Sequence, residues 1–296
     1  MSQAISPVSR RPYGLAAVCR ICRIARSGVY RSQAPPSSAP AERRGPVGAM
    51  PDAALLAAIR DVLAASPFHG ECHRKVWARL RHRGIRTSLR RVLHLMRQND
   101  LLAPTRAGSA RGPRAHDGTI IPEAVDTIGG TDRTTTWTRE GSAAVFIAVD
   151  RCSAECVGIH ASARVTRFEA LVPVRQGVRR HFGGFDAGIA RGLTMRHDHG
   201  SQYMSDHFQK ELRFLGIESS PAFVRAPEGN GCAERFIRTL KENLLWLPTF
   251  DTIEELRQAL LVFRDAYNTT WLIQRHGIVT PAECRKRQLQ PIAQAA

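Results

Sequence analysis

The sequence has no long hydrophobic run and no apolar segment near its beginning. No stretch of its 296 residues reaches the roughly 18 consecutive apolar residues that a membrane-spanning helix needs. Residues 1–11 are polar and basic, whereas a secretory signal peptide has an apolar central segment. These two absences predict a cytoplasmic protein that does not bind a membrane.

Paired cysteines are also missing. The seven cysteines are an odd number scattered along the chain, which indicates free thiols in a reducing compartment rather than a disulfide framework. Cys19 and Cys22 have the spacing of half a zinc site, but no second Cys or His pair stands at the spacing of a zinc finger. We therefore interpret these two cysteines as residues of a helix.

Acidic residues are scarce in the first part of the chain only. The whole sequence holds 43 Lys and Arg against 26 Asp and Glu, a net charge of +17. Residues 1–116 hold 21 basic and 5 acidic side chains, whereas residues 117–296 hold 22 and 21. A GC-rich coding sequence would add arginine everywhere without removing acids from one side. The asymmetry instead indicates a polyanion-binding module joined to a nearly neutral globular body.

Helical patterns fill this basic part. Residues 1–31 are predicted to be a short helical segment, with a second helix that begins at a Ser27 cap; a small helix-turn-helix is the alternative, although its second helix would be very short. Residues 32–50 are predicted to be a linker. Residues 51–104 contain three predicted helices, 53–65, about 73–83 and 89–98. The second would end at Gly84, and the third would begin at a Thr87 or Ser88 cap.

The last two of these helices, joined by a short turn that contains glycine, predict a helix-turn-helix domain. The exposed face of the third helix would carry Arg90, Arg91, His94 and Arg97. Such side chains suit phosphates and base edges, so we predict that they contact DNA. The alternative is a solvated charged face on a small helical bundle. Residues 105–121 are predicted to be a second, basic linker.

Residues 122–288 have the pattern of an α/β domain, followed by a tail at 289–296. Three β-prone runs, ending near Trp137, Asp150 and Ala161, predict three antiparallel strands. Predicted helices at 166–182, 205–215 and 233–245 alternate with short strands near 194 and 218, and a capping box at Thr252–Glu255 starts the next helix. We therefore predict a mixed five-stranded sheet flanked by helices.

Three acidic side chains stand at notable points of this domain. Asp132 lies early on the first strand, Asp198 follows the fourth strand, and Glu234 follows a Gly-Asn-Gly loop at the start of a helix. Three converging carboxylates repel one another unless a cation lies between them. A ligand set made only of oxygen selects Mg²⁺ or Mn²⁺. Two such ions would support phosphoryl displacement on a phosphodiester.

Two further features bear on this candidate site. Arg238 and Lys241 share a helix face with Glu234 and are predicted to hold a backbone phosphate, although an ion pair on a solvated face is the alternative. Asp150 and Asp126 are rival candidates for the first carboxylate. Asp150 begins a turn and Asp126 precedes the strand, so we prefer Asp132.

The segments Gly130-Thr131-Asp132, His197 to Tyr203 and Gly229 to Phe236 resemble the three acidic motifs of DDE transposases and retroviral-type integrases. The 35 residues between Asp198 and Glu234 match that family's spacing. The resemblance is nearest to bacterial insertion-sequence transposases made from a second, frameshifted reading frame. Phe68-His69-Gly70 and the helix after it resemble that family's upstream helix-turn-helix.

This resemblance implies an RNase H-like core in which Asp132, Asp198 and Glu234 bind two Mg²⁺ or Mn²⁺ ions and catalyse DNA cleavage and strand transfer. It implies double-stranded DNA as a partner, both at element ends and at the target, and therefore a protein associated with the nucleoid. A homo-oligomer is expected because two ends must be joined. A helix-turn-helix partner from the upstream frame is also implied.

The chain departs from the family at two positions where a tryptophan is usual. Gly129 and Ser142 stand there instead, and both positions are expected to lie in or near the core. Two alternative functions follow from the same residues. One is a decayed transposase that represses the element by binding its ends. The other is an RNase H-like nuclease, which would leave the basic N-terminal part without a role.

Overall fold

The computed structural model describes residues 3–33, 50–104, 122–222 and 230–290. The chain divides into two compact units, residues 1–50 and 51–296. Most of the predicted linker 32–50, the whole predicted linker 105–121 and the end of the predicted tail lie outside the described residues.

The first unit contains two short helices, α1 (Leu15–Ile21) and α2 (Arg26–Gln33). The N–H of Ile24 donates to the carbonyl of Cys19 at 2.9 Å and closes the turn between them. This turn is short, so α2 begins at Arg26, and Ser27 lies inside the helix. The prediction that Ser27 caps the second helix is therefore wrong.

Residues 50–104 form a three-helix arrangement of α3 (Asp52–Ala64), α4 (His73–His82) and α5 (Leu89–Gln98). The hydroxyl of Ser88 accepts the N–H of Arg91 and caps α5, as predicted. Gly84 follows α4 with φ 80°, a left-handed conformation that favours glycine at a helix end. The buried side chains of the three helices face one another: Leu55, Ile59, Val62, Val76, Leu80, Val92, Leu95 and Met96.

The rest of the second unit, from residue 122 onward, is built on five strands: β1 (Ile128–Thr138), β2 (Gly141–Asp150), β3 (Cys156–Ser162), β4 (Thr194–His197) and β5 (Glu218–Pro221). Their order in the sheet is β3-β2-β1-β4-β5. β1, β2 and β3 pair antiparallel, whereas β4 pairs parallel to both β1 and β5. This order and these directions define an RNase H-like sheet, so the predicted fold class is confirmed.

Helices cover both faces of the sheet. One face packs against α6 (Arg167–Phe182) and α8 (Asp206–Leu215), with the short α7 (Ser201–Met204) between them in sequence. The opposite face packs against α9 (Gly231–Leu240), a π-helical turn (Lys241–Leu245) and α10 (Ile253–Thr270). A 3₁₀ turn (Gln274–His276) and α11 (Pro281–Leu289) follow.

The continuous apolar run of β2 has a simple cause. Ala143, Val145, Ile147 and Val149 belong to the core shared with α9 and α10. Ala144 and Phe146 point the other way, into the core shared with α6 and α8. A central strand buried on both faces needs apolar residues at every position. None of the described helices is long and apolar enough to cross a membrane.

Candidate active site

Asp132 and Asp198 are brought together by the pairing of β1 with β4. In this parallel register Gly129 faces Met195 and Gly130 faces Arg196. The pairing ends at Gly130 and Arg196, and Asp132 and Asp198 each lie two residues beyond it, at the same end of the paired segments. The negative charge of Asp198 helps to raise the pKa of Asp132, so the two carboxylates lie near each other.

The helix α9 brings Glu234 to the same region. Asp132 pairs with Ile147 across β1 and β2, and Ile147 belongs to the core shared with Ala233 and Phe236 of α9. Asp132 therefore points to the face that α9 covers, and Glu234 lies in the first turn of α9. The three predicted carboxylates thus come from β1, from the end of β4 and from a helix on one face of the sheet.

The electrostatics agree with this proximity. Burial raises the pKa of Asp132 from 3.8 to about 6, and the negative charges of Asp198 and Glu234 add to the rise, whereas the N–H of Arg133 opposes it. Burial also raises the pKa of Glu234, although the residue as a whole is exposed. The ionised form of Asp132 is therefore disfavoured here, and a nearby cation would relieve that cost.

Two side chains that the sequence reasoning missed hold this geometry. His197 is fully buried; its Nδ1 lies 2.7 Å from the carbonyl oxygen of Asp198 and its Nε2 lies 2.9 Å from the hydroxyl of Ser219. Asn230 is buried beside β1, and its Nδ2 donates to the carbonyl of Thr131 at 3.1 Å. Both residues lie inside the acidic motifs, so the sequence could single them out. Their hydrogen-bond partners could not be predicted from the sequence.

The donor set fits a hard divalent cation. In the part of the chain that the structure describes, no three His, Cys, Asp or Glu side chains already stand in an arrangement that could hold a metal ion. Asp132 and Asp198 each use their Oδ1 to accept a backbone N–H, from Arg133 at 2.7 Å and from Gly200 at 2.8 Å. Their Oδ2 atoms and the Glu234 carboxylate supply oxygen donors suited to Mg²⁺ or Mn²⁺.

The carboxylates of Asp150 and Asp126, the two other candidates for the first carboxylate, both make structural contacts. Asp150 is buried and accepts hydrogen bonds from the N–H and the hydroxyl of Ser153, at 2.7 and 2.6 Å, which closes the turn between β2 and β3. Asp126 is paired with Arg285 of α11. These contacts favour Asp132 as the first carboxylate.

The two cations predicted beside Glu234 differ in their contacts. Arg238 is exposed and pairs with Glu242, one turn further along, with its Nε 3.1 Å from Oε1. Among the described residues no ion pair involves Glu234. Lys241 is half-buried at the start of the π-helical turn. Arg238 therefore forms an ion pair, as the alternative interpretation expected, but with Glu242 instead of Glu234.

The predicted DNA-contacting face of α5 is mostly open. Arg90, His94 and Arg97 are exposed. Arg91 instead binds Asp52 of α3 through Nε and Nη2, at 2.8 and 2.6 Å. That ion pair joins two helices, so Arg91 would have to leave it to reach a phosphate.

The first unit carries a second basic surface. An open cleft of about 600 Å³ is lined by Arg20, Arg23 and Arg26, together with Ala16, Cys19, Ile24 and Ala25. We refer to it as the arginine cleft. Residues 1–41 contain no Asp or Glu, so no carboxylate of this segment neutralises it.

The two positions where the family usually has tryptophan are not alike. Gly129 borders a cavity of about 20 Å³ that is also lined by Val149, Leu193 and Met195, a volume close to what one water needs. Ser142 is exposed and pairs with Trp137, which is 74% exposed. The prediction that Ser142 lies in or near the core is therefore wrong: Ser142 is the second residue of β2, directly after the β1–β2 turn, where the strand is not yet buried.

Two family models match the chain. The "Integrase core domain" covers residues 215–281 and the "HTH-like domain" covers residues 51–108. The chain is 29% identical over 202 residues to the transposase InsD for insertion element IS2A/D/F/H/I/K of Escherichia coli, which covers 66% of this chain. The resemblance to insertion-sequence transposases is confirmed.

A second relative of this transposase-like chain is the insertion element IS2A uncharacterized 48.2 kDa protein of Escherichia coli, 28% identical over 250 residues and 82% of this chain. The chain spans 57% of the length of that relative and 65% of InsD. Among solved structures, the HTLV-2 integrase catalytic core domain in complex with magnesium matches with 16% identity and a TM-score of 0.41, over 56% of this chain and 99% of that one.

Proposed function

We propose that this chain is a transposase that binds the ends of a DNA element and catalyses metal-dependent cleavage and strand transfer. The observation that supports the proposal is the electrostatic coupling of three carboxylates, Asp132, Asp198 and Glu234, which come from β1, the end of β4 and α9 of an RNase H-like core. The charges of the last two help to raise the pKa of Asp132 to about 6. The integrase core and HTH-like family matches support it.

A different part of the fold positions each carboxylate. Asp132 is held on β1, Asp198 is oriented by the backbone N–H of Gly200 and by the buried His197 beneath it, and Glu234 projects from α9. We propose that these three side chains hold two Mg²⁺ or Mn²⁺ ions. When bound, the ions activate the attacking oxygen and stabilise the leaving oxygen of the phosphodiester. Arg238 and Lys241 are proposed to hold the DNA backbone beside them.

The basic surfaces supply binding to the duplex. Arg90, His94 and Arg97 on α5 are proposed to contact base edges and phosphates, with Arg91 contributing if it releases Asp52. The proposed domain plan is that of the sequence: residues 51–104 bind DNA and residues 122–288 carry the chemistry. Cleavage at two ends calls for at least two copies of the chain on the DNA, on the nucleoid in the cytoplasm, and an upstream-frame helix-turn-helix protein is a proposed partner.

The test uses the full chain and a labelled duplex that it selects from a random-sequence library. Wild type in Mg²⁺ or Mn²⁺ is expected to nick the duplex and to expose 3′ hydroxyl ends. Asp198→Asn and Glu234→Gln should abolish nicking and leave binding unchanged, because each removes one negative metal ligand and keeps the shape of the side chain. Asp61→Asn, at an exposed position on α3, is the matched control and should cut like wild type.

The same assay separates the alternatives. Wild-type binding with no nicking in either metal would refute the transposase proposal and favour the repressor. Cutting of the RNA strand of an RNA–DNA hybrid in preference to duplex DNA would favour the RNase H-like nuclease.

A further inference from the structure

The loop between α3 and α4 is packed against the half of the unit that carries Glu234. We refer to residues 66–72 as the docking loop. Phe68 of this loop is only 5% exposed and belongs to the apolar cluster of α9 and α10. Its ring meets those of Phe263 and Trp271 edge-on, with centroids 5.9 and 4.8 Å apart. Edge-to-face contacts are directional, so they restrict rotation as well as separation.

A hydrogen bond joins the docking loop to the helix of Glu234 itself. The N–H of His69 donates to Oδ1 of Asn243 at 2.8 Å, and Nδ2 of Asn243 donates to the carbonyl of Thr239 at 2.9 Å. Asn243 lies in the π-helical turn that continues α9. From Glu234 to Asn243 the helix axis advances by about 13 Å. Both polar groups of the Asn243 amide are thus used at this junction.

A buried ion pair makes a second connection. Glu71 of the docking loop is 1% exposed and accepts two hydrogen bonds from Arg79 of α4, at 2.8 and 2.6 Å. Nη2 of Arg79 also donates to the carbonyl of Thr270, the last residue of α10, at 2.9 Å. Arg74 adds a bond to Gln274 at 2.8 Å. The α4 helix is therefore held against the end of α10.

The DNA-contacting helix α5 is in turn held on α4. Nε1 of Trp77 donates to the carbonyl of Thr87 at 2.9 Å, just before α5 begins. Val76 and Leu80 of α4 and Val92 of α5 are fully buried in the same three-helix arrangement. An unbroken series of packed contacts thus runs from α5 through α4 and the docking loop to α9.

We propose that the docking loop fixes the distance between the DNA segment that α5 contacts and the phosphodiester that is cut at Glu234. Phe68 and Asn243 are the positioning residues, and neither touches DNA. This inference rests on the proposed function. A helix-turn-helix domain joined only by a tether would let the cut vary with the reach of the tether, whereas a buried and hydrogen-bonded junction permits one spacing.

The experiment maps two positions on one labelled duplex, which is the sequence that the full chain selects from a random library. A footprint locates the bound segment, and a sequencing gel locates the nicks in Mg²⁺. The variants are Asn243→Ala, which removes the acceptor of the His69 N–H, and Phe68→Ala. The control is Phe214→Ala, which truncates a ring of the same type that is 48% exposed on α8.

Wild type and the control should cut at one phosphodiester, at one distance from the footprint. Both docking variants should bind with the affinity of wild type, and their nicks should spread over several neighbouring phosphodiesters. Slower cutting at the single wild-type position in both variants would overturn the inference. Asn243→Ala keeps the apolar junction intact, so it provides the test even if Phe68→Ala unfolds.

A different result would count against the proposed function rather than this inference. If wild type binds and never nicks, the transposase proposal fails. Hydrogen exchange of the His69 amide in the free protein then tests, without any nicking activity, whether Asn243 holds the docking loop in place. Slow exchange in wild type and fast exchange in Asn243→Ala are expected, and equally fast exchange in both would overturn the docked arrangement.

Discussion

Replacing Asp132 by asparagine should make the protein more stable at neutral pH while removing its proposed activity. The folded-state pKa of Asp132 is raised from 3.8 to about 6, so the unfolded chain releases this proton at a lower pH than the folded chain does. The contribution of Asp132 to stability is therefore best below about pH 3.8, falls as the pH rises towards about 6, and stays low above that.

The size of this effect follows from the shift. A difference of about two pKa units corresponds to about 3 kcal/mol, and solvent screening of a carboxyl that is not wholly buried lowers the expectation to about 1–2 kcal/mol. Asparagine keeps an oxygen that can accept the N–H of Arg133 and carries no charge. Asp132→Asn should therefore raise the free energy of unfolding at neutral pH by that amount, or the melting temperature by roughly 2–8 °C.

The assay is urea and thermal unfolding of both proteins in EDTA across the window from pH 3.8 to about 6 and above it. Wild type should lose stability through the window, and the variant should lose less. Excess Mg²⁺ should then stabilise wild type, by about 2.7 kcal/mol at a hundredfold excess over Kd, and leave Asp132→Asn nearly unchanged. Equal or lower stability of Asp132→Asn at neutral pH, with the same pH slope as wild type, would refute the reasoning.

Three further predictions concern the rest of the molecule. In thermal melts Gly129→Ala should stabilise the protein by about 0.5–1 kcal/mol, since the new Cβ meets the flexible end of the Met195 side chain beside the cavity. Gly158→Ala should destabilise the protein by about 1–3 kcal/mol or more, because the new Cβ overlaps the backbone of α6. In urea denaturation Arg285→Met should cost about 3–5 kcal/mol, since Glu155, 2% exposed, loses its nearest cation, 2.8 Å away, and Arg180 is more distant at 3.9 Å. Adding Glu155→Gln should recover part of the loss. Alanine at all three positions of the arginine cleft should weaken DNA binding and lower the slope of log K against log salt by about 2.7 if each arginine contacts one phosphate; an unchanged slope would show that the cleft does not contact DNA.

Local patterns in the sequence determined most of the secondary structure. Ser88 and Thr252 cap helices as predicted, because a side-chain hydroxyl next to the first turn accepts an N–H a few residues away. The apolar residues of α10 recur at the helix period and are buried. The continuous apolar run of β2 likewise fits a strand buried on both faces. Each of these features depends on residues close together in the chain.

The candidate site could be predicted only in part. Asp198 and Glu234 stand out because each follows or begins a regular element within a distinctive motif. The choice of Asp132 over Asp150 and Asp126 depended on their positions relative to the first two predicted strands. The proximity of Asp132 to Asp198 has a tertiary basis, because the parallel pairing of β1 with β4 ends two residues before each of them. A register between strands distant in sequence leaves no periodic signal in either of them.

Tertiary structure alone decided the environment of the remaining residues. Ser142 is exposed although β2 is buried from Ala143 onward. The pairing of Arg285 with Glu155 and the bond from His69 to Asn243 each join segments far apart in the chain. Composition and spacing therefore determined which residues could bind a metal and DNA. Packing determined which carboxylates lie near Asp132 and how α5, the helix proposed to contact DNA, is held against the helix of Glu234, because such contacts form only when distant segments fold together.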